Sequence, residues 1–117
     1  MDLSILRRTT RITDDSGESL VCVHRPASVG HVEAWRQHIE ARPKVEADLV
    51  GWLRDGSAVG APIIRDVVLG WREVTVAGSV PSTEEVTAAV LSDWTLLRRC
   101  VSAVVASADL DAAMGKG

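Results

Sequence analysis

Three histidines, two cysteines and a scatter of carboxylates and hydroxyls are the side chains here that could do chemistry. His31, Trp35 and His38 recur at i, i+4 and i+7, which places them on one face of a helix. A transition metal would need His24 to join that face. Two helical imidazoles with no carboxylate beside them leave a tetrahedral ion half ligated, so boundary histidines and no metal are expected. Cys22 and Cys100 lack Cys-x-x-Cys spacing and stand among Val21, Val23 and Val101. That is the setting of reduced, buried thiols in a cytosolic protein, although sequence alone leaves a disulfide between them open.

Acid–base catalysis asks for carboxylates that converge with their pKa values pushed apart. Asp48 and Asp55 fall at polar helical positions, and Asp109 and Asp111 lie near a fraying end. Ser102 and Ser107 sit in a helix without a neighbouring base. Asp14-Asp15-Ser16-Gly17-Glu18 has the composition of a calcium loop but neither its carboxylate spacing nor its closing Glu. Gly-x-Ser-x-Gly, a glycine-rich phosphate loop and His-Glu-x-x-His are all missing from the sequence. No enzyme and no cofactor are expected. Arg7, Arg8, Arg11 and Arg25 would crowd one hairpin, and a two-stranded ribbon can enter a nucleic-acid groove. The net charge of −3 and the lack of any Phe or Tyr for base stacking argue against that use.

The elements that must position these groups fit one domain spanning residues 1–117. Such a chain buries roughly two thirds of its extended surface. With 46% hydrophobic residues, it can build a core without metals or disulfides. Four Trp are the only aromatic residues, so Val, Leu, Ile and Ala fill the core around Trp35, Trp52, Trp71 and Trp94. No apolar run reaches the ~20 residues of a membrane span, and the N-terminus lacks the pattern of a signal peptide.

The predicted architecture is α+β, an N-terminal antiparallel β-hairpin followed by a mostly helical body of four to five helices. Strands over 3–13 and 19–25 flank the turn cluster at 14–18. Helices are predicted over 28–42, 43–55, 62–70, 82–92 and 94–113. Val32, Trp35 and Ile39 form the stripe of the first, and Val45, Leu49, Trp52 and Leu53 that of the second. Pro43 opens the second helix and Gly56 stops it. The small residues 56–61 read as a linker, and Pro62 opens the third helix. A strand is the rival reading over the Ile/Val-rich stretch after Pro62, and a short extended piece is expected over Val74 and Val76. Ser82-Thr83-Glu84-Glu85 is a capping box, and Asp93 can cap the last helix, whose Leu97, Val101, Val104 and Ala108 share a face.

Residues 62–114 resemble the tail assembly chaperones of long-tailed bacteriophages. The shared pattern is a Val/Ile-rich segment ending in Gly70-Trp71-Arg72-Glu73-Val74, a glycine turn at Gly78, then Val80-Pro81-Ser82-Thr83-Glu84-Glu85 and two helices. The acidic turn common in that family is Val76-Ala77-Gly78-Ser79 here, and its aromatic residue after the proline is Ser82. The resemblance implies a non-enzymatic protein that coats the phage tape-measure protein and assists tail-tube assembly, with contacts to the tail-tube protein and self-association. It implies a place in the cytoplasm of the bacterial host and absence from the mature virion. Several such chaperones have a second, frameshifted form whose slippery run encodes Gly-Lys, the pair found at Gly115-Lys116. Trp71, Trp94, Leu97 and Val101 are the candidate partner contacts, with a helix-in-groove mode. A head–tail connector or other phage structural adaptor is the alternative, and a small DNA-binding regulator a further one.

Overall fold

The computed structural model describes residues 7–115, with side chains through Ala108. Strands β1 (Arg8–Thr13) and β2 (Ser19–His24) form the predicted antiparallel hairpin, paired from Arg8↔His24 to Thr13↔Ser19. The turn closes as its composition dictates. Asp14 Oδ1 accepts from the Ser16 amide (2.9 Å), the Ser16 hydroxyl and the Glu18 amide (3.0 Å), and Gly17 takes φ +89°. The expected strand positions 3–6 lie outside the described residues.

Helix α1 (Val29–Glu40) starts at Ser28, whose hydroxyl accepts from the His31 amide while the Ser28 amide donates to His31 Nδ1 (3.2 Å). This is a capping box with an imidazole in the place usually held by Glu or Gln. A single 3-10 turn over Glu46–Asp48 then leads into helix α2, Leu49–Val67.

Helix α2 corrects the sequence reading. The helix predicted over 43–55 begins at Leu49 instead of Pro43, does not stop at Gly56, and continues through the supposed linker to Val67. Gly56 and Gly60 lie one turn apart on the buried face. A Cβ at Gly60 would come within 3.2 Å of both the Trp35 ring and Val101, and one at Gly56 would overlap His38 Nε2 (2.5 Å) and the Trp94 ring. The missing side chains are therefore space that neighbouring residues fill. Pro62 lies inside the helix and deprives the Ala58 carbonyl of its amide donor. Both residues are exposed, so that carbonyl lies on the side of the helix that faces water.

The chain changes to strand β3 (Val68–Arg72) without a loop, where a helix to Gly70 was expected. Strand β3 pairs antiparallel with β2 (Cys22↔Trp71, Val23↔Gly70), giving a three-stranded sheet in the order β1-β2-β3. The extended piece over Val74 and Val76 reduces to a bridge between Val76 and Ser79 around Ala77 (φ 51°) and Gly78 (φ 81°). Positive φ at both central residues is type I′ turn geometry.

Helix α3 (Thr83–Ser92) starts where the capping motif predicts, with the Glu85 amide donating to Ser82 Oγ (3.2 Å). Helix α4 (Trp94–Gly115) is capped by Asp93, whose Oδ1 accepts from the Leu96 amide (3.2 Å). It packs against α1, α2, α3 and β1. Leu97, Cys100, Val101 and Val104 are fully buried along it, and the first three meet Ile63, Ile64, Val86, Val90 and Cys22 in one continuous core.

Candidate functional site

The most concentrated chemistry lies where α1, α2 and α4 meet. Trp35 and His38 come from α1, Trp52 from α2 and Trp94 from the first residue of α4. The His38 ring stacks on Trp52 with centroids 4.5 Å apart and planes 11° from parallel. Trp94 stands edge-on to both, at 6.2 Å from His38 and 6.0 Å from Trp52, and Trp35 lies 5.4 Å from His38. Offset-stacked and edge-to-face arrangements suit the quadrupoles of the rings. The Arg42 guanidinium covers Trp52 from outside, 5.6 Å from the ring centroid.

Gly56 makes this arrangement sterically possible, since His38 Nε2 and the Trp94 ring occupy the volume of its absent side chain. Nε2 is buried and accepts no hydrogen bond from the described residues. Burial accordingly pushes the His38 pKa down, with the negative charge of Asp55 opposing the shift. Within this cluster His38 is a neutral aromatic plate.

The other histidines are engaged elsewhere. His24 is fully buried; its Nδ1 donates to the Arg25 carbonyl (2.7 Å), so Nε2 accepts from the Thr10 hydroxyl (2.7 Å). Burial lowers its pKa, the Arg25 carbonyl opposes that, and the charge of Arg8 adds to it. His31 Nε2 contacts Asp66 Oδ2 at 3.1 Å. The three imidazoles do not converge, and no group of three His, Cys, Asp or Glu suited to a metal occurs among the described residues.

Ser28, His31 and Asp66 have the residue types of a nucleophilic triad but not its geometry. The Ser28 hydroxyl accepts from the His31 backbone amide, and His31 Nδ1 already accepts from the Ser28 backbone. Nothing is therefore placed to take the hydroxyl proton. Ser102 accepts from the Trp35 indole (3.1 Å). Cys22 and Cys100 are both free and fully buried. Burial raises each thiol to about 12, and the charge of Cys22 adds to the shift at Cys100. Neither is a nucleophile near neutral pH.

Two of the hairpin arginines, Arg11 and Arg25, hold partners within the molecule. Arg11 forks onto Glu73 (2.8 and 3.2 Å) and also reaches Ser19, while Arg25 donates to the Asp66 carbonyl (3.1 Å).

Of the four residues expected to meet a partner, Leu97 and Val101 have no exposed surface and belong to the core beneath α2. Trp71 and Trp94 are partly buried against the core, Trp52 is partly exposed as well, and Trp35 is buried. The indole N–H of Trp52 donates to the His38 carbonyl (2.8 Å), and that of Trp71 to the Thr87 hydroxyl (3.0 Å). Both polar handles are used inside the molecule, so the open part of each indole is ring carbon. Sequence reasoning missed Trp52 and its stack on His38. The one available signal was the four-residue spacing of Gly56 and Gly60, which reads equally well as a flexible linker.

No protein-family model, curated protein or solved structure matches the chain. Among the described residues, no helix is long and apolar enough to cross a membrane.

Proposed function

We propose that this chain is a non-enzymatic tail assembly chaperone of a long-tailed bacteriophage. It covers apolar segments of the tape-measure protein until the tail-tube protein polymerises around them. It acts in the cytoplasm of the bacterial host and leaves before the virion is complete. The observation that carries the reading is that Trp52 and Trp71 remain partly exposed with their N–H groups satisfied internally. Such indoles offer rigid apolar area at low entropic cost, which is what a protein-binding surface uses. Val45 and Val50, on the approach to α2 and in its first turn, are further exposed apolar side chains. The resemblance over residues 62–114 supplies the class of partner. A temporary coat must also release, which favours small apolar contacts over a large interlocked interface.

Co-expression with the tape-measure protein of the same phage, followed by size exclusion, tests this reading. A soluble co-eluting complex is expected, and loss of that complex with Trp52→Ala. A partner that is equally insoluble with and without the chain contradicts it.

A further inference from the structure

A groove separate from the aromatic cluster opens where the hairpin turn, the chain leaving β3 and the first turn of α4 meet. It has a volume of about 440 Å³. Its floor is apolar: Ile12 is nearly fully buried, and Leu20, Val74 and Leu96 are half-buried against the core. A second groove of about 290 Å³ adjoins it through Asp14 and Leu96.

The rim of this joint groove is acidic. Asp14, Glu18 and Glu73 line the larger part, and Asp15 and Asp93 the smaller, where Arg99 is the one cationic lining residue among the described residues. The rim already binds cations of the chain's own. Glu73 takes Arg11 through both carboxylate oxygens, and Asp15 takes Arg99, which also donates to the Thr13 carbonyl (2.6 Å). Even so, carboxylates outnumber guanidiniums around an apolar floor. Glu73 is held at φ +59°, a left-handed conformation uncommon for a residue other than glycine, Asn or Asp, at the lip of the groove.

We infer that this groove docks a basic amphipathic helix of a protein partner, with its Leu-type side chains on the floor and its Lys or Arg side chains against the rim. Charge complementarity selects that occupant over an acidic or neutral helix, because like charges facing across an interface are costly. The inference rests on the proposed chaperone reading only in identifying this helix with part of the tape-measure protein.

The test uses the full chain and a fluorescein-labelled synthetic helix with one Leu face and one Lys face, beside a counterpart in which Glu replaces Lys. Anisotropy should rise with the Lys helix and not with the Glu helix, and binding should weaken as salt screens the rim. Glu18→Lys and Thr75→Arg alter exposed lining residues, and each should weaken binding about tenfold, the scale of a lost charge contact and its reversal. Glu33→Lys on the exposed side of α1 makes the same change in net charge as Glu18→Lys, and it should leave binding unchanged. Melting curves of all three variants confirm folding. Equal binding of both helices overturns the inference. So does equal weakening by Glu18→Lys and Glu33→Lys, or a groove occupied by a second copy of the chain that Thr75→Arg releases. A partner solubilised on co-expression by a chain that fails to bind the Lys helix overturns the groove alone. A Lys helix that binds as predicted, beside a tape-measure protein that stays insoluble, upholds the groove and overturns the chaperone reading.

Discussion

His38 lies flat on Trp52, 4.5 Å from it, with its Nε2 in the space that a side chain at position 56 would fill. The stack joins the end of α1 to the start of α2, and Trp94 closes it from α4. Because this nitrogen has no hydrogen-bond partner among the described residues, the stack is built for a neutral imidazole.

Stability should therefore depend on pH through the histidines. His38 and His24 both have folded pKa values below the ordinary 6.5, chiefly because they are buried. The unfolded chain then binds protons more readily, so stability is fully present above pH 6.5 and falls as acid approaches the folded pKa values. Urea midpoints should decline between about pH 7 and pH 5, with a shallower decline for His38→Phe. An equal slope in that variant would show that His38 does not contribute.

Two glycines on α2 should respond oppositely to alanine. At Gly51 an added Cβ meets nothing within 4 Å, so Gly51→Ala should stabilise the helix by about 0.5–1 kcal/mol. At Gly56 the same methyl overlaps His38 and Trp94, and the strain of overpacking, about 1–3 kcal/mol, should exceed the helical gain. Chemical denaturation of the two variants gives the sign of each.

Ala77 and Gly78 both adopt positive φ in the turn between Val76 and Ser79. Asn tolerates the left-handed region better than Ala. Ala77→Asn should raise the denaturation midpoint by about 0.5 kcal/mol equivalent, and Ala77→Val, which is β-branched, should lower it.

The two thiols should be silent in the native state. With both pushed up to about 12 and fully buried, a disulfide reagent should label neither Cys22 nor Cys100 until the protein opens. Labelling should become complete in denaturant. Fast native-state labelling of either residue would contradict its burial.

The hairpin and α3 were legible in the sequence because local chemistry decides them. Asp14 closes its turn with amides two and four residues away, and Ser82 caps α3 through an amide three residues away. What stayed hidden depends on residues distant in the chain. Gly56 and Gly60 mark a loop unless large rings fill the missing side chains, and those rings are Trp94 and Trp35. The change from helix to strand at Val68 depends on β2, more than forty positions earlier, accepting a third strand. For the same reason the sequence left Leu97 and Val101 open between core and partner contact, since what covers them comes from Gly60 of α2. The imidazole cap at Ser28 was unreadable because His31 takes a role normally filled by Glu or Gln.

The central claim, that ring carbon at the surface meets the partner, is tested most directly by acrylamide quenching of indole emission in the free chain and in its co-purified complex with the tape-measure protein. Trp35 is buried in the free chain, so the quenchable signal comes from the three partly exposed indoles. The account predicts a clear fall in quenching on binding. A bound partner that leaves quenching unchanged would contradict it.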